Sequence, residues 1–228
     1  MTSSVIVFDL DDTLYEELSY VRGGFRAVAE FIAERTGRVA ADECYDWLNE
    51  EMEANGRGQV FDAVLERVGA RSRAMVGCCL QTYRTHKPEL RLHEDAERAL
   101  ERYGHCPLYI VTDGNQRVQE SKLRALGLYG EKGIKRCWIS RRYGVHNEKP
   151  SPYCFLRISK LEKAEPERIV YIGDNPNKDF VGIKPLGFRT VRVLRGAFAA
   201  VRKSPEYEAD VAISNLDELP AALSALNI

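Results

Sequence analysis

Residues 5–15 read VIVFDLDDTLY. Four apolar residues, the profile of a strand buried on both faces of a sheet, run straight into Asp9, Asp11 and Asp12. An ionised carboxylate is costly to bury unless a cation or hydrogen bonds compensate it. These acids therefore mark either a solvated, aspartate-rich turn or a site built to use them, and the rest of the chain decides which.

Counting SSVIVFD at 3–9, six short apolar runs with β-branched or aromatic content recur. The others are CPLYIVTD at 106–113, IKRCWIS at 134–140, RIVYIGD at 168–174, FRTVRVL at 188–194 and ADVAIS at 209–214. Helical patterns lie between the last five, among them NQRVQESKLRALGL at 115–128 and SPYCFLRISKLEK at 151–163. Strands alternating with helices predict an α/β fold with a Rossmann-like, mostly parallel sheet and right-handed crossovers.

The interval between the first two strands is different, because it holds roughly ninety residues with no convincing strand, far more than a crossover needs. Leu18, Val21, Phe25, Val28 and Ile32 recur at helical spacing on a helix that ends at Gly37. Amphipathic segments follow at 42–54, 59–69 and 72–86, and then the helix HEDAERALERYG at 93–104. An α-helical insertion, a cap at 16–88, is thus expected directly after the acidic turn and placed to cover it. The core is then 1–15 with 89–228.

With 33 basic against 34 acidic residues and a net charge of -1, nothing favours nucleic acid or a membrane surface as a partner. Cys44, Cys78, Cys79, Cys106, Cys137 and Cys154 form neither CxxC pairs nor a framework, and Cys106 and Cys137 fall in expected strands. They read as small buried hydrophobes in a reducing compartment. MTSSVIV lacks a basic leader, no apolar run reaches membrane-spanning length, and a cytoplasmic protein is expected. His86, His93, His105 and His146 lack metal-ligand spacing, neither common glycine-loop nucleotide signature occurs, and Trp47 and Trp138 read as core.

In an open parallel sheet the ligand crevice lies outside the carboxyl ends of the strands. The first strand delivers Asp9, with Asp11 and Asp12 following. The second delivers Thr112 and Asp113, then Gly114 and Asn115 at a helix start, and the fourth delivers Asp174, with Asp179 five residues on. Lys149 lies in NEKPSP before a helix that Pro150 or Ser151 can open. Gathered carboxylates repel one another unless a cation joins them, and an all-oxygen set favours Mg2+. Lys149, the Thr112 hydroxyl and helix-start amides suit a phosphate dianion, so the site reads as built for phosphoryl transfer. Asp9 and Asp11, two apart in extended chain, face one side and Asp12 faces away. One of the pair can attack phosphorus while the other moves protons.

The ordered set DLDDT at 9–13, VTDG at 111–114, KP at 149–150 and GDNPNKD at 173–179 resembles the four signatures of the haloacid dehalogenase-like hydrolase superfamily, in its phosphatase branch with an α-helical cap. The resemblance covers the whole chain. It implies Asp9 as nucleophile and Asp11 as general acid and base. Thr112, the Asp113 backbone N–H and Lys149 would hold phosphoryl oxygens, with Asp113 acting through its backbone rather than its charge. Mg2+ would be bound by the Asp9 carboxylate, the Asp11 backbone carbonyl and Asp174, and Asp179 would support the metal waters or orient Lys149. Asp12 stands where members of the family often have Gly.

These readings converge on a Mg2+-dependent phosphatase of a small phosphorylated metabolite (a sugar phosphate, short-chain acid phosphate or mononucleotide) acting through an aspartyl phosphate. Asn115, at the start of a helix beside the phosphate loop, and Arg22, early in the insertion with Tyr15 and Tyr20, are candidate substrate contacts. The alternatives are a phosphomutase, a 2-haloacid dehalogenase, which lacks an acid two positions after its nucleophile, and a non-catalytic binding protein, which would have lost a catalytic group. The cap is expected to close over substrate, hinged near Tyr15–Glu17 and Lys87–Leu90.

Overall fold

The computed structural model describes residues 4–130 and 132–228, so Ser3 of the expected first strand, the rest of the N-terminal Met1–Ser3 and Glu131 lie outside the described residues. The chain divides into two compact units, Leu18–Glu89 and the pair Met1–Glu17 with Leu90–Ile228. The sequence places the edges of the insertion at 16 and 88.

The helical unit is built from α1 (Glu17–Thr36), α2 (Ala41–Asn55), α3 (Val60–Arg67) and α4 (Arg73–Thr85). Its core joins Val21, Phe25, Val28 and Ile32, the apolar stripe of α1, to Cys44, Leu48, Val64 and Leu65 of α2 and α3. Tyr20 is packing rather than display: its ring meets Tyr83 edge-on at 5.7 Å and His86 at 4.6 Å. Gly37 takes a left-handed φ of 61° and ends α1 there.

The other unit contains β1 (Val5–Phe8), α5 (Glu94–Arg102), β2 (Leu108–Thr112), α6 (Gln116–Ala125), β3 (Ile134–Ile139), α7 (Tyr153–Glu162), β4 (Ile169–Gly173), β5 (Arg189–Val193), β6 (Val211–Ile213) and α8 (Leu219–Ala225). Its six strands form one sheet in the order β3-β2-β1-β4-β5-β6, every pair parallel. It is a Rossmann-like α/β sheet. Winding runs outward from β1 in one direction through β2 and β3 and in the other through β4, β5 and β6, so the carboxyl ends of β1 and β4 flank the switch point. All residues of β1, β2 and β4 are buried, as the unbroken apolar runs require. In β1, β2 and β4 the polar residue closing the apolar run, Asp9, Asp113 or Asp174, falls just past the end of the strand.

Three local expectations are corrected. The helix expected at Pro150 or Ser151 begins at Tyr153 after Pro152; Ser151 precedes a proline, which disfavours helical backbone there. Cys106 lies in the turn before β2, half-buried, and only Cys137 of that pair is in a strand. Cys78 is exposed on α4 while Cys79 is buried, since adjacent helical residues face different ways. Trp138 is buried in the sheet core, whereas Trp47 is half-buried against the helical core. Among the described residues no helix is long and apolar enough to cross a membrane.

An arginine, only 1% exposed, lies beside Thr190 on the face of β5 opposite Val191 and Val193. The Arg192 Nε donates to the Asp174 carbonyl at 3.2 Å, Nη2 donates to the carbonyls of Phe198 at 2.6 Å and Val201 at 3.0 Å, and Nη1 reaches the Glu208 carboxylate at 2.7 Å. It thereby pins both the backbone at Asp174 and the loop after β5. Removing it strands three carbonyls and a partly exposed carboxylate, and losing this set of bonds to a buried guanidinium costs about 3–5 kcal/mol. Arg192→Met is therefore expected to lower unfolding stability by about that amount in urea denaturation; a loss under about 1 kcal/mol would show that water replaces these bonds.

Candidate active site

β1 and β4 lie side by side, so Asp9, just past the end of β1, meets residues carried by β4 and the loop after it. The Asp9 backbone N–H donates to the Ile172 carbonyl at 2.8 Å, extending the ladder by one bond and fixing where the side chain leaves the sheet. The buried Lys149 ammonium donates to Asp9 Oδ1 at 2.8 Å, pairs with Asp179 Oδ1 at 2.9 Å and donates to the Tyr171 hydroxyl at 2.7 Å. The Tyr171 hydroxyl in turn donates a hydrogen bond to Asp179 Oδ1 at 3.2 Å, and the Asn175 N–H donates to Asp179 Oδ2 at 2.8 Å. The structure thus brings Asp179 and Lys149 together. The loop carrying Lys149 is fixed from behind by Gly182, where an added Cβ would run into the Pro150 carbonyl oxygen.

Oxygens of Asp9, Asp174 and Asp179 lie within 4.8 Å of one another. Burial, against the opposing pull of Lys149, pushes the Asp9 carboxyl up to about 7. Burial and the neighbouring Asp179 and Asp9 push Asp174 up to about 9. Although burial works against its charge, Asp179 and Asp9 hold Lys149 well above the ordinary lysine range. One ammonium does not balance three carboxyls in their ionised forms, and every donor atom is oxygen. That chemistry fits a hard divalent cation such as Mg2+, which Asp9 and Asp174 are placed to hold.

Asp11 is anchored elsewhere. Its Oδ1 accepts from the Tyr15 hydroxyl at 2.5 Å and the Lys122 ammonium at 2.7 Å, and its Oδ2 accepts from Gln119 Nε2 at 2.9 Å. Burial alone would raise the Asp11 carboxyl, but Lys122, Tyr15 and Gln119 outweigh it and the group lies below the usual carboxylate range. Gln119 Nε2 also donates to Thr112 Oγ1 at 2.6 Å, which leaves the hydroxyl proton of Thr112 available for another acceptor. Asp12 departs from the alternation argument. It borders the same cleft, but its oxygens accept from the backbone N–H groups of Glu17 at 2.9 Å and Ala197 at 3.2 Å. Its φ of 53° is left-handed, which accounts for glycine being at home there, with aspartate a tolerated alternative.

The Asp113 carboxylate has partners of its own, which the sequence reading, placing this residue by its backbone, did not anticipate. It accepts from Ser140 Oγ at 2.6 Å, the Lys149 N–H at 3.2 Å and Lys178 Nζ at 2.8 Å. Burial would raise it, yet Lys149 and Lys178 hold it below the usual range. Asn115 is exposed, and its side-chain oxygen caps α6, accepting from Arg117 N–H at 3.1 Å and Val118 N–H at 3.3 Å. Arg22 is an exposed residue of α1 in the helical unit.

The cleft has a volume of about 420 Å³, and Phe198 is its one apolar side chain among the described residues. Sequence reasoning passed over Gln119, Lys122, Tyr171 and Lys178. A signal for the first two was present: Asn115, Gln119 and Lys122 stand at i, i+4 and i+7, one face of a helix whose start adjoins the second strand end.

Over 220 residues the chain is 30% identical to a glyceraldehyde 3-phosphate phosphatase of Methanopyrus kandleri, covering 90% of this chain and 92% of that one. It is 29% identical to the enzyme of the same name from Methanocaldococcus jannaschii, covering 94% of each. Among solved structures, YfnB of Bacillus subtilis, bound to magnesium, superposes with a TM-score of 0.68 over 100% of both chains at 21% identity, a likeness of fold. The haloacid dehalogenase-like hydrolase family model matches residues 4–187, and the chain, with the signature acids at the switch point of its sheet, belongs to that family.

Proposed function

We propose that this hydrolase is a Mg2+-dependent phosphatase that cleaves the phosphate monoester of a small metabolite through an aspartyl phosphate on Asp9. The observation that carries the reading is the cluster of Asp9, Asp174 and Asp179 within 4.8 Å around a single ammonium. Mg2+, held by the Asp9 and Asp174 carboxylates and the Asp11 carbonyl, would supply positive charge against the phosphoryl oxygens.

In the first half-reaction an Asp9 oxygen bonds to phosphorus, the bond to the ester oxygen breaks, and Asp11 gives that oxygen a proton. In the second half a water oxygen bonds to phosphorus, the bond to Asp9 breaks with its electron pair returning to the carboxylate, and Asp11 takes the water's proton. Lys149 orients Asp9 and offsets phosphoryl charge. The Thr112 hydroxyl, aligned by Gln119, and the Asp113 N–H supply donors, and Asp179 keeps Lys149 in place.

The relatives named glyceraldehyde 3-phosphate phosphatases favour a short sugar phosphate as substrate, and glyceraldehyde 3-phosphate is the first to assay. The cleft's polar lining suits such a ligand. Asp11 argues against dehalogenation, and a non-catalytic protein has no reason to retain the full set of acids, hydroxyl and ammonium.

Asp9→Asn is expected to lower phosphate release by about 10⁴-fold or more, measured with glyceraldehyde 3-phosphate and an aryl phosphate; activity that survives removes Asp9 as nucleophile. Chelation by EDTA is expected to abolish turnover, with Mg2+ restoring it. Asp174→Asn should raise the half-saturating Mg2+ concentration by about 10-fold or more. Turnover indifferent to chelator would overturn the metal assignment.

A further inference from the structure

Lys149 and Lys178 both line the cleft, and they differ in what they have left to give. A lysine ammonium carries three N–H donors. Three oxygens crowd that of Lys149: Asp9 Oδ1 at 2.8 Å, the Tyr171 hydroxyl at 2.7 Å and Asp179 Oδ1 at 2.9 Å. Its side chain is only 2% exposed. Lys149 therefore meets a phosphoryl group with its charge rather than with a spare N–H. Lys178 is the opposite case. Among the described residues its ammonium has one oxygen partner, Asp113 Oδ2 at 2.8 Å, and its side chain is 33% exposed. Two of its N–H donors remain for a ligand.

The fold sets where those donors stand. Lys178 follows β4 and Asp113 follows β2, with β1 between these strands in the sheet. Their ion pair therefore passes over the end of β1, where Asp9 leaves the sheet. Burial raises the Asp9 carboxyl, and both Lys149 and Lys178 oppose it, so the second ammonium lies within electrostatic reach of Asp9. The Asn175 carbonyl accepts from the N–H groups of Lys178 at 3.3 Å and Asp179 at 3.0 Å, closing a turn that sends Asp179 inward to Lys149 and Lys178 into the cleft.

We propose that Lys178 donates directly to an oxygen of the substrate's phosphoryl group, so that it, rather than Lys149, is the ammonium that hydrogen-bonds the bound phosphate. The inference takes the identity of the ligand from the phosphatase reading above. Asp113 serves as the anchor, holding the ammonium over Asp9 instead of letting it swing into solvent.

The test compares wild type, Lys178→Met and Lys178→Arg in three measurements: phosphorus NMR titration of inorganic phosphate at saturating Mg2+, calorimetric titration of Mg2+ alone, and steady-state hydrolysis of p-nitrophenyl phosphate. In Lys178→Met the dissociation constant of phosphate is expected to rise about 10-fold or more, as for loss of a hydrogen bond between charged groups. KM should rise by a similar factor while kcat falls less, since the bond is made in the ground state and the transition state alike. Lys178→Arg should recover most of the phosphate affinity. Lys178→Gln, which can still donate to Asp113 but lacks the charge, should weaken phosphate by about 5-fold, so the inference stays testable if Lys178→Met does not fold. Mg2+ affinity separates contact from structure: removing a positive charge near the carboxylates leaves it unchanged or tighter, whereas a disordered turn weakens Mg2+ and phosphate together. Loss of both, or phosphate affinity within about 2-fold of wild type in Lys178→Met, would overturn the proposal. The titrations need no turnover. Wild-type protein that binds phosphate but hydrolyses neither this ester nor glyceraldehyde 3-phosphate would overturn the phosphatase reading, while the titrations still decide the Lys178 contact; wild-type protein that binds no phosphate would overturn both.

Discussion

One buried ammonium, that of Lys149, stands between the carboxylates of Asp9 and Asp179 at 2.8 and 2.9 Å, and the rest of the site is arranged around it. Burying carboxylates together is unfavourable through both desolvation and mutual repulsion. A single cation among Asp9, Asp174 and Asp179 offsets part of that cost and leaves the remainder unmet. The remainder shows in Asp9 and Asp174, whose carboxyls are pushed up to about 7 and about 9. A core designed only for stability would place apolar residues here. The sheet instead brings β1 and β4 together so that the acids gather at the switch point, where a cation and a dianionic phosphate can complete the balance.

The parts of the site are held in place by different means. Thr112 and Asp11 are registered by α6, a regular helix whose geometry fixes Gln119 and Lys122 relative to each other. Lys149 and Asp174 sit on irregular chain, which has no hydrogen-bond ladder of its own to define it. There the structure uses buried side chains instead: Arg192 clamps the Asp174 carbonyl, Asp113 accepts from the Lys149 N–H, and Gly182 allows the Pro150 carbonyl to approach closely. Positioning that a helix provides locally thus requires contacts from distant sequence wherever the backbone is irregular.

This difference explains what was legible in the sequence. The sheet was readable because buried parallel strands are apolar runs, and Asp9, Asp113 and Asp174 were readable because each closes such a run. Periodicity located α1, and Gly37 marked its end. The supporting residues were harder to find, since a lysine and a glutamine in QRVQESK read as the solvated face of a helix until the Asp11 carboxylate is known to lie opposite. Arg192 was hidden for a similar reason: in FRTVRVL it alternates like a surface residue of a half-exposed strand, whereas in the fold both faces of β5 are covered. The charge of Asp113 was underrated because its partners, Ser140, Lys149 and Lys178, come from three separate segments.

The opening stretch shows how environment separates residues that composition makes equivalent. Asp9 leaves the end of a buried strand and meets a cation together with two further acids. Asp11, two residues on, turns to α6 and meets donors only, so its carboxyl moves in the opposite direction. Asp12 occupies left-handed backbone at φ 53° and spends its oxygens on two main-chain N–H groups. That third aspartate closes the turn that carries the chain away from the sheet and ties it to the loop after β5. One carboxyl is thus held with Lys149 and two further acids, where its charge is disfavoured, and the other with Lys122, Tyr15 and Gln119, where its charge is favoured.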